Sequence, residues 1–311
     1  MGAGLSKTLK DKDMERIFME VQHSENLGLS CPEQLRLFHL IVRDSKFYRD
    51  DVETWLYRNI SRYVFSRAKL EQFRQDDDLD AAIERALQMM RENGAADEKG
   101  KGNELGEMMV YAFLEGKLNA YKLMSRVELS TDLPQYKSVA ESIHMLSEVD
   151  DAGSPYNQMV FGTSNIVGDL KEAIDNAFDA ILRIKDHSSR EIQMVEKTAF
   201  DRMYDPDEIE YLKKILIPEP NAGSNYDTAY GLFLGYTMGI DMQKHPGEKY
   251  EDLVTAKMIH DIQLRAPYIA QKISENNLGM HSFYVYILPF EDAEQDKLGI
   301  MDNVMKGAIV L

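Results

Sequence analysis

The residues able to do chemistry in this chain are carboxylates more than thiols or imidazoles. Glu107 falls on a helical stretch, Glu141 at the start of a strand-like one, and Lys171 near the beginning of a further helix. Carboxylate oxygens are the ligand type that Mg2+ prefers. A metal held this way polarises a phosphoryl oxygen and acidifies a water, while a neighbouring lysine orients that water and stabilises charge. Each residue also has a plainer reading. Glu107 as a metal-proximal acid competes with Glu107 as an exposed helix residue, and Glu141 as a ligand with Glu141 as a solvent-facing strand residue. Lys171 as a relocated cation competes with Lys171 as a solvated helix lysine.

Other chemistries find no support. Cys31 is the one cysteine, which rules out an internal disulfide and any multi-Cys metal site. Seven histidines are scattered without metal-ligand spacing, and His144 lies in an apolar strand where a hydrogen-bonded structural role fits best. There is no Walker loop and no Gly-x-Gly-x-x-Gly after a strand. Ser154 and Ser164 show no nucleophile elbow.

The elements that must position these residues belong to a chain of 311 residues, 44% hydrophobic and 29% charged, a globular composition with material for a real core. With 36 basic and 53 acidic residues the net charge is −17. Non-specific duplex binding rests on Lys and Arg neutralising phosphates, so the charge argues against a free-standing coat for nucleic acid. It does not exclude a nuclease with a local basic track. No run of about 18 apolar residues is present, so no membrane span is expected. The N-terminus has no apolar stretch long enough for a secretory signal, and the single thiol suits a reducing cytoplasm. The Met-Gly-x-x-x-Ser start fits an N-myristoylation pattern through Ser6, of a kind that mostly arises by accident.

Periodicity divides the chain into a mostly helical N-terminal region, residues 1–95, and a core over residues 103–311. In the first, Leu35 to Val42 could be a strand. Val52, Trp55, Leu56, Ile60, Tyr63 and Val64 then recur at helical spacing. A second helix is predicted from Asp78 to Arg91, its acidic start suited to the positive end of a helix. The polar, glycine-rich stretch over residues 92–103 reads as a linker. After it come a helix from Glu104 to Glu115 and three extended segments: Ala120 to Leu129, Ser142 to Val149 and Gln158 to Phe161. Turn-formers at Thr131-Asp132, Asp150-Asp151 and Gly153-Ser154-Pro155 bound these segments. A helix from Asp169 to Lys185 follows, then buried strands at Tyr230 to Tyr236 and Ser282 to Phe290. Between those two, a helix around Tyr250 to Leu264 should be ended or kinked by Pro267. The fold class is α/β or α+β with a mixed sheet.

Helix, hairpin-like strands, then a strand ending in a turn before a helix is the order of the PD-(D/E)xK nuclease core. That restriction-endonuclease-like core carries a carboxylate on its second strand and an acid two positions before a lysine on its third. Residues two apart on a strand share a face, which explains the spacing. Gly106-Glu107, the Ser142-to-Leu146 strand, Val160-Phe161-Gly162, the Gly168-to-Ile181 stretch and the closing run from Phe283 to Phe290 together resemble the HamA family. HamA is the nuclease component of the Hachiman antiphage system. The likeness runs from about Asn103 to Phe290. It implies a metal-dependent DNA nuclease, with Mg2+ or Mn2+ on Glu107 and Glu141, working with a HamB-like helicase partner in bacterial defence.

This chain departs from the family at the catalytic positions. Where the family has Gly-Ser-Asp-Gly before a hydrophobic residue and His, this sequence has Val139-Ala140-Glu141-Ser142 before Ile143-His144. Where it has Gly-Glu-Ser-Lys, this sequence reads Gly162-Thr163-Ser164-Asn165. An acid has become a hydroxyl and the lysine an uncharged amide. Glu107, Glu141, Thr163, Asn165 and Lys171 are therefore the positions of a degenerate site. Two functions from different classes follow: a nuclease component that engages DNA through its complex, or an inactive binding or regulatory subunit of the same complex. An unrelated α/β protein with a chance motif order is the third possibility.

Overall fold

A computed structural model describes residues 5–93, 103–128, 138–149, 155–203, 205–217 and 225–307, and in it helices and strands come in short runs before alternating towards the end of the chain. A helical turn α1 (Met14–Ile17) leads into β1 (Phe18–Val21), β2 (Glu33–Leu40) and a small hairpin of β3 (Val42–Arg43) and β4 (Lys46–Phe47). Helices α2 (Asp50–Val64), α3 (Arg67–Gln75) and α4 (Leu79–Asn93) follow, then α5 (Asn103–Gly116). Strands β5 (Tyr121–Ser125), β6 (Ser142–Val149) and β7 (Pro155–Ile166) come next, then α6 (Leu170–Thr198) and α7 (Pro206–Leu216). The chain closes through β8 (Asp227–Thr237), α8 (Tyr250–Glu275), β9 (Ser282–Phe290) and α9 (Ala293–Lys306). Most of the predicted linker, Thr131-Asp132, Asp150-Asp151 and Gly153-Ser154 lie outside the described residues.

Seven strands make one mixed sheet in the order β1-β2-β9-β8-β7-β6-β5. The β5, β6 and β7 strands are antiparallel neighbours, whereas β7, β8, β9 and β2 run parallel. This sheet crosses the boundary expected after residue 95: β1 and β2, from the N-terminal region, extend it beyond β9. The reason is burial. The inner residues Leu35, Leu37 and Phe38 of β2 need a sheet neighbour as well as helices, and β9 supplies it.

Helix α5 covers one face and α6 the other. Phe113 of α5 anchors the first, with ring centroids 5.1 Å from Phe18, 5.0 Å from Phe38, 5.4 Å from Phe233 and 5.3 Å from Tyr286. Such tilted and edge-to-face pairs add to the gain from burying the rings. Glycine brings α5 unusually close. A Cβ on Gly231 would lie 2.6 Å from the Leu114 side chain, and one on Gly106 would lie 2.2 Å from the Ser164 hydroxyl. On the opposite face Phe178 of α6 stacks on Phe283 at 6.1 Å.

Several elements differ from their predicted extents. Strand β7 continues well past Phe161, because residues 158–166 pair in unbroken register with β8; Gly162, Ser164 and Asn165 have little strand preference of their own. The segment predicted to stay extended to Leu129 leaves the sheet after Ser125 and turns helical at Arg126. Pro267 neither ends α8 nor sets its limit: the helix runs to Glu275, held by buried Ile262, Ala266, Ile269 and Ile273 on both sides of the proline. Helix α6 begins where predicted, with the Asp169 side chain accepting from the Glu172 N–H at 2.9 Å. It continues to Thr198 because Glu191, Met194 and Val195 prolong the buried stripe.

Candidate functional site

Helix α5 points Glu107 into the protein, where its side chain is fully buried. An isolated carboxylate there would be prohibitive, and two groups meet it. Tyr63, at the end of α2, donates its hydroxyl to Glu107 Oε2 at 2.5 Å, and the guanidinium of Arg126 pairs with Oε1. Arg126 reaches this point because the chain turns helical directly after β5. Its side chain is 22% exposed, so the pair lies at the rim of the core.

Glu141 comes to the same place from the other direction. It precedes β6 in a bend, its N–H donating to the Gly162 carbonyl at 2.9 Å and its carbonyl accepting from the Arg126 N–H at 2.9 Å. Burial pushes its carboxyl up to about 7, while the Arg126 guanidinium and the Ser164 hydroxyl and N–H pull the other way. Its Oε2 and the neighbouring Ser142 hydroxyl have no hydrogen-bond partner among the described residues. Arg126 thus pairs directly with Glu107, while Glu141 keeps one buried oxygen unmet.

Thr163 and Asn165 are not in this cluster. Gly162 and Ser164 face α5: a Cβ on Gly162 would press on Val110 and Leu114, and Ser164 lies against Gly106. The intervening positions project to the α6 face by strand alternation, and the Asn165 side chain accepts from Asn176 of α6 at 3.3 Å. The expectation that Thr163 would lie beside Glu107 is therefore corrected. The sheet separates them, and Ser164 is the β7 side chain on the Glu107 side. A shift of one position along a strand is enough to exchange faces.

Lys171 is likewise elsewhere. It sits 48% exposed on α6, pairs with Asp175 at 2.8 Å and lies 4.7 Å over the Tyr268 ring. The hydrogen bonds to Asp175 and Tyr268 hold its ammonium above the ordinary lysine range. The cation beside the buried acids is Arg126. Sequence reasoning missed it because a lone arginine after an apolar strand carries no signal, and its partner Glu107 is on another element. Tyr63 was visible only as one apolar-face residue of α2.

The donor set also tests the metal that the sequence resemblance implies. Both Glu107 oxygens are engaged by Tyr63 and Arg126, and Thr163 and Asn165 bring neither a carboxylate nor a charge to that side of the sheet. Among the described residues no three Asp, Glu, His or Cys side chains come together in a way that could hold a metal. These residues do not fit Mg2+ or Mn2+ as they stand. His144 adds nothing to such a site: its Nδ1 faces the Ala120 carbonyl at 3.0 Å, and burial lowers it to about 4, leaving a neutral ring.

Helix, antiparallel strands, then a parallel strand and a long covering helix is the architecture expected of a nuclease-like core, and the protein-family model HamA matches residues 16–304. The chain belongs to the HamA family. It is accordingly a HamA-like component of the Hachiman antiphage system. The HamA match begins before β1, so it covers the N-terminal strands that complete the sheet. A search of curated proteins finds no match. No helix of the described residues is long and apolar enough to cross a membrane.

Proposed function

We propose that this HamA-family chain serves its defence complex as a non-cleaving subunit, in the bacterial cytoplasm, beside a HamB-like helicase that brings DNA to it. One observation carries the reading: the acids Glu107 and Glu141 stand on the α5 side, while motif positions 163 and 165 are neutral and face α6. Phosphoryl transfer needs its charge-stabilising groups converged on one reacting centre. A site split across a sheet offers no such centre. The net charge of −17 adds to this, because the isolated chain should hold duplex DNA weakly and lose it as salt rises.

Metal-dependent cleavage with Mg2+ or Mn2+ is the second reading, favoured by two buried acids, Glu107 and Glu141, on the α5 side of the sheet. The two readings separate in one assay. The chain is purified with its helicase partner and supplied with ATP, plasmid or linear DNA, and either metal. The non-cleaving reading expects no nicking above that of the helicase alone. Metal-dependent cleavage that disappears in Glu141→Ala would overturn it.

A further inference from the structure

We infer that the crevice at the carboxyl ends of β8 and β9 is a binding site for a small organic cation, an amine or guanidinium carried on an apolar stem. This site is independent of the non-cleaving reading: it follows from the strand topology, and none of Glu107, Glu141 and Arg126 lines it.

The topology makes the crevice. Strands β8 and β9 are parallel neighbours, but the chain leaves them towards opposite faces of the sheet. Helix α8 follows β8 and meets α6, where Tyr268 donates to Asp175 at 2.6 Å. Helix α9 follows β9 and packs on α2 and α5, where Asn303 donates to Glu53 at 3.0 Å. Connections that part in this way leave a gap beyond the strand ends, the place where open α/β sheets take their ligands. Here the gap is a cavity of about 390 Å3, within the size range of small-molecule sites. The β3–β4 hairpin supplies the remaining wall. Asp44 and Ser45 turn that hairpin in the left-handed region, with φ of 50° and 59°. The Phe47 N–H donates to Glu291 Oε1 at 2.9 Å, and the Phe47 ring meets Tyr250 edge-on at 5.8 Å. The hairpin is thereby fixed both to the end of β9 and to the start of α8.

The lining sets the sign of the ligand. Asp44, Asp241 and Glu291 line the cavity against a single lysine, Lys46. Asp241 accepts from the Gln243 N–H at 3.0 Å and pairs with Lys244 at 3.5 Å, whereas Asp44 has no hydrogen bond or ion pair among the described residues. The positive ends of α8 and α9 are offset by acids of their own, Glu251 and Asp252 in one and Asp292 and Glu294 in the other. Tyr250 is the group that points to a ligand. It is 6% exposed and lines the cavity, yet its hydroxyl makes no hydrogen bond among the described residues. A buried tyrosine hydroxyl ordinarily has a partner. A cationic head among the acids supplies that partner, and Met242 offers apolar surface to the stem.

The test uses the full chain at physiological salt, with agmatine and spermidine as free cations and a capped peptide with a single arginine as a protein-borne one. Binding is read by calorimetry and by ligand-observed magnetic resonance. One equivalent of cation is expected to bind. Tyr250→Phe should weaken it about tenfold, the scale of one hydrogen bond to a charged group, and Asp44→Asn with Glu291→Gln should remove it. Lys46→Gln, on the exposed hairpin, should tighten it about two- to fivefold, the scale of one exposed charge interaction. Should the double variant fail to fold, Tyr250→Phe and Lys46→Gln carry the test. Two results overturn the inference. One is no binding at millimolar cation. The other is binding, at any stoichiometry, that Tyr250→Phe does not weaken and Lys46→Gln does not tighten, which is counterion attraction to a chain of net charge −17. Whichever of the free cations and the peptide binds more tightly names the source of the ligand.

Discussion

Helix α5 carries two buried glutamates towards its opposite ends, and the protein treats them very differently. Glu115 is met by an abundance of donors. The N–H groups of Thr8, Leu9 and Lys122 reach it at 3.0, 2.7 and 2.9 Å, the Thr8 hydroxyl at 2.7 Å, and Arg67 stands 3.6 Å away. Burial alone would raise its pKa, but the nearby Arg67 guanidinium, with the Lys122 N–H and the Thr8 hydroxyl, brings it below the ordinary glutamate value. Glu107 has two partners, Tyr63 and Arg126, and Glu141 near it has its Oε2 left unmet. Both glutamates are fully buried and both face an arginine. Only one is satisfied.

The contrast separates a clasp from a site. A buried carboxylate surrounded by fixed N–H groups holds structure together, here by pinning residues 6–9 across the helix layer; Arg67 adds a hydrogen bond to the Ser6 carbonyl at 2.9 Å. A buried carboxylate short of donors costs stability, and such costs tend to be retained where a group must respond to something. Tyr63 and Lys122 show how near the two are. The Lys122 ammonium donates to the carbonyls of Arg62, Tyr63 and Phe65 at the end of α2, at 2.7, 2.9 and 2.8 Å.

The comparison breaks first at Glu115. Replacing it with alanine strips four donors and leaves Arg67 buried without its carboxylate, which should cost about 3–5 kcal/mol in urea denaturation. Because Glu115 prefers the ionised form in the fold, its contribution should be intact above about pH 4.5 and vanish as pH falls through its lowered value. A loss below 1 kcal/mol, on the scale of a surface pair, would mean the clasp is not one.

Glu141 should behave with the opposite sign. Its folded form prefers the proton, so its contribution is complete below about pH 4.5 and fades as pH rises through about 7. Glu141→Gln, neutral at every pH, should therefore stabilise the chain at pH 8 by on the order of 2–3 kcal/mol. At pH 4 the two proteins should unfold together. Denaturation series at both pH values check this, and a variant less stable than the parent at pH 8 would show that Glu141 is held as firmly as Glu115.

The smallest effect is expected at Lys171. Its ammonium lies at the surface with Asp175 and Tyr268, on the far side of the sheet from the acids. Lys171→Ala should leave the unfolding midpoint and any DNA-dependent activity of the complex unchanged. A clear loss of activity would restore this lysine to the site.

Much of the fold was written in local pattern. The apolar stripes of α2 and α6, the closing strand β9 and the acid at the start of α6 follow from side-chain period and capping, which neighbouring residues decide among themselves. Glu107 and Glu141 could be named because a family-like order of elements put them on a helix and a strand start. What local pattern could not decide was any choice made by a distant partner. The length of β7 depends on β8, the passage of α8 through Pro267 on the residues packed around it, and the place of β2 on β9. The site follows the same rule. Which face Thr163 and Asn165 occupy depends on sheet register, where one residue of slip exchanges the two sides. Which cation serves the acids depends on where the chain turns after β5. Arg126 and Glu107 sit on different elements, and only folding brings them into contact.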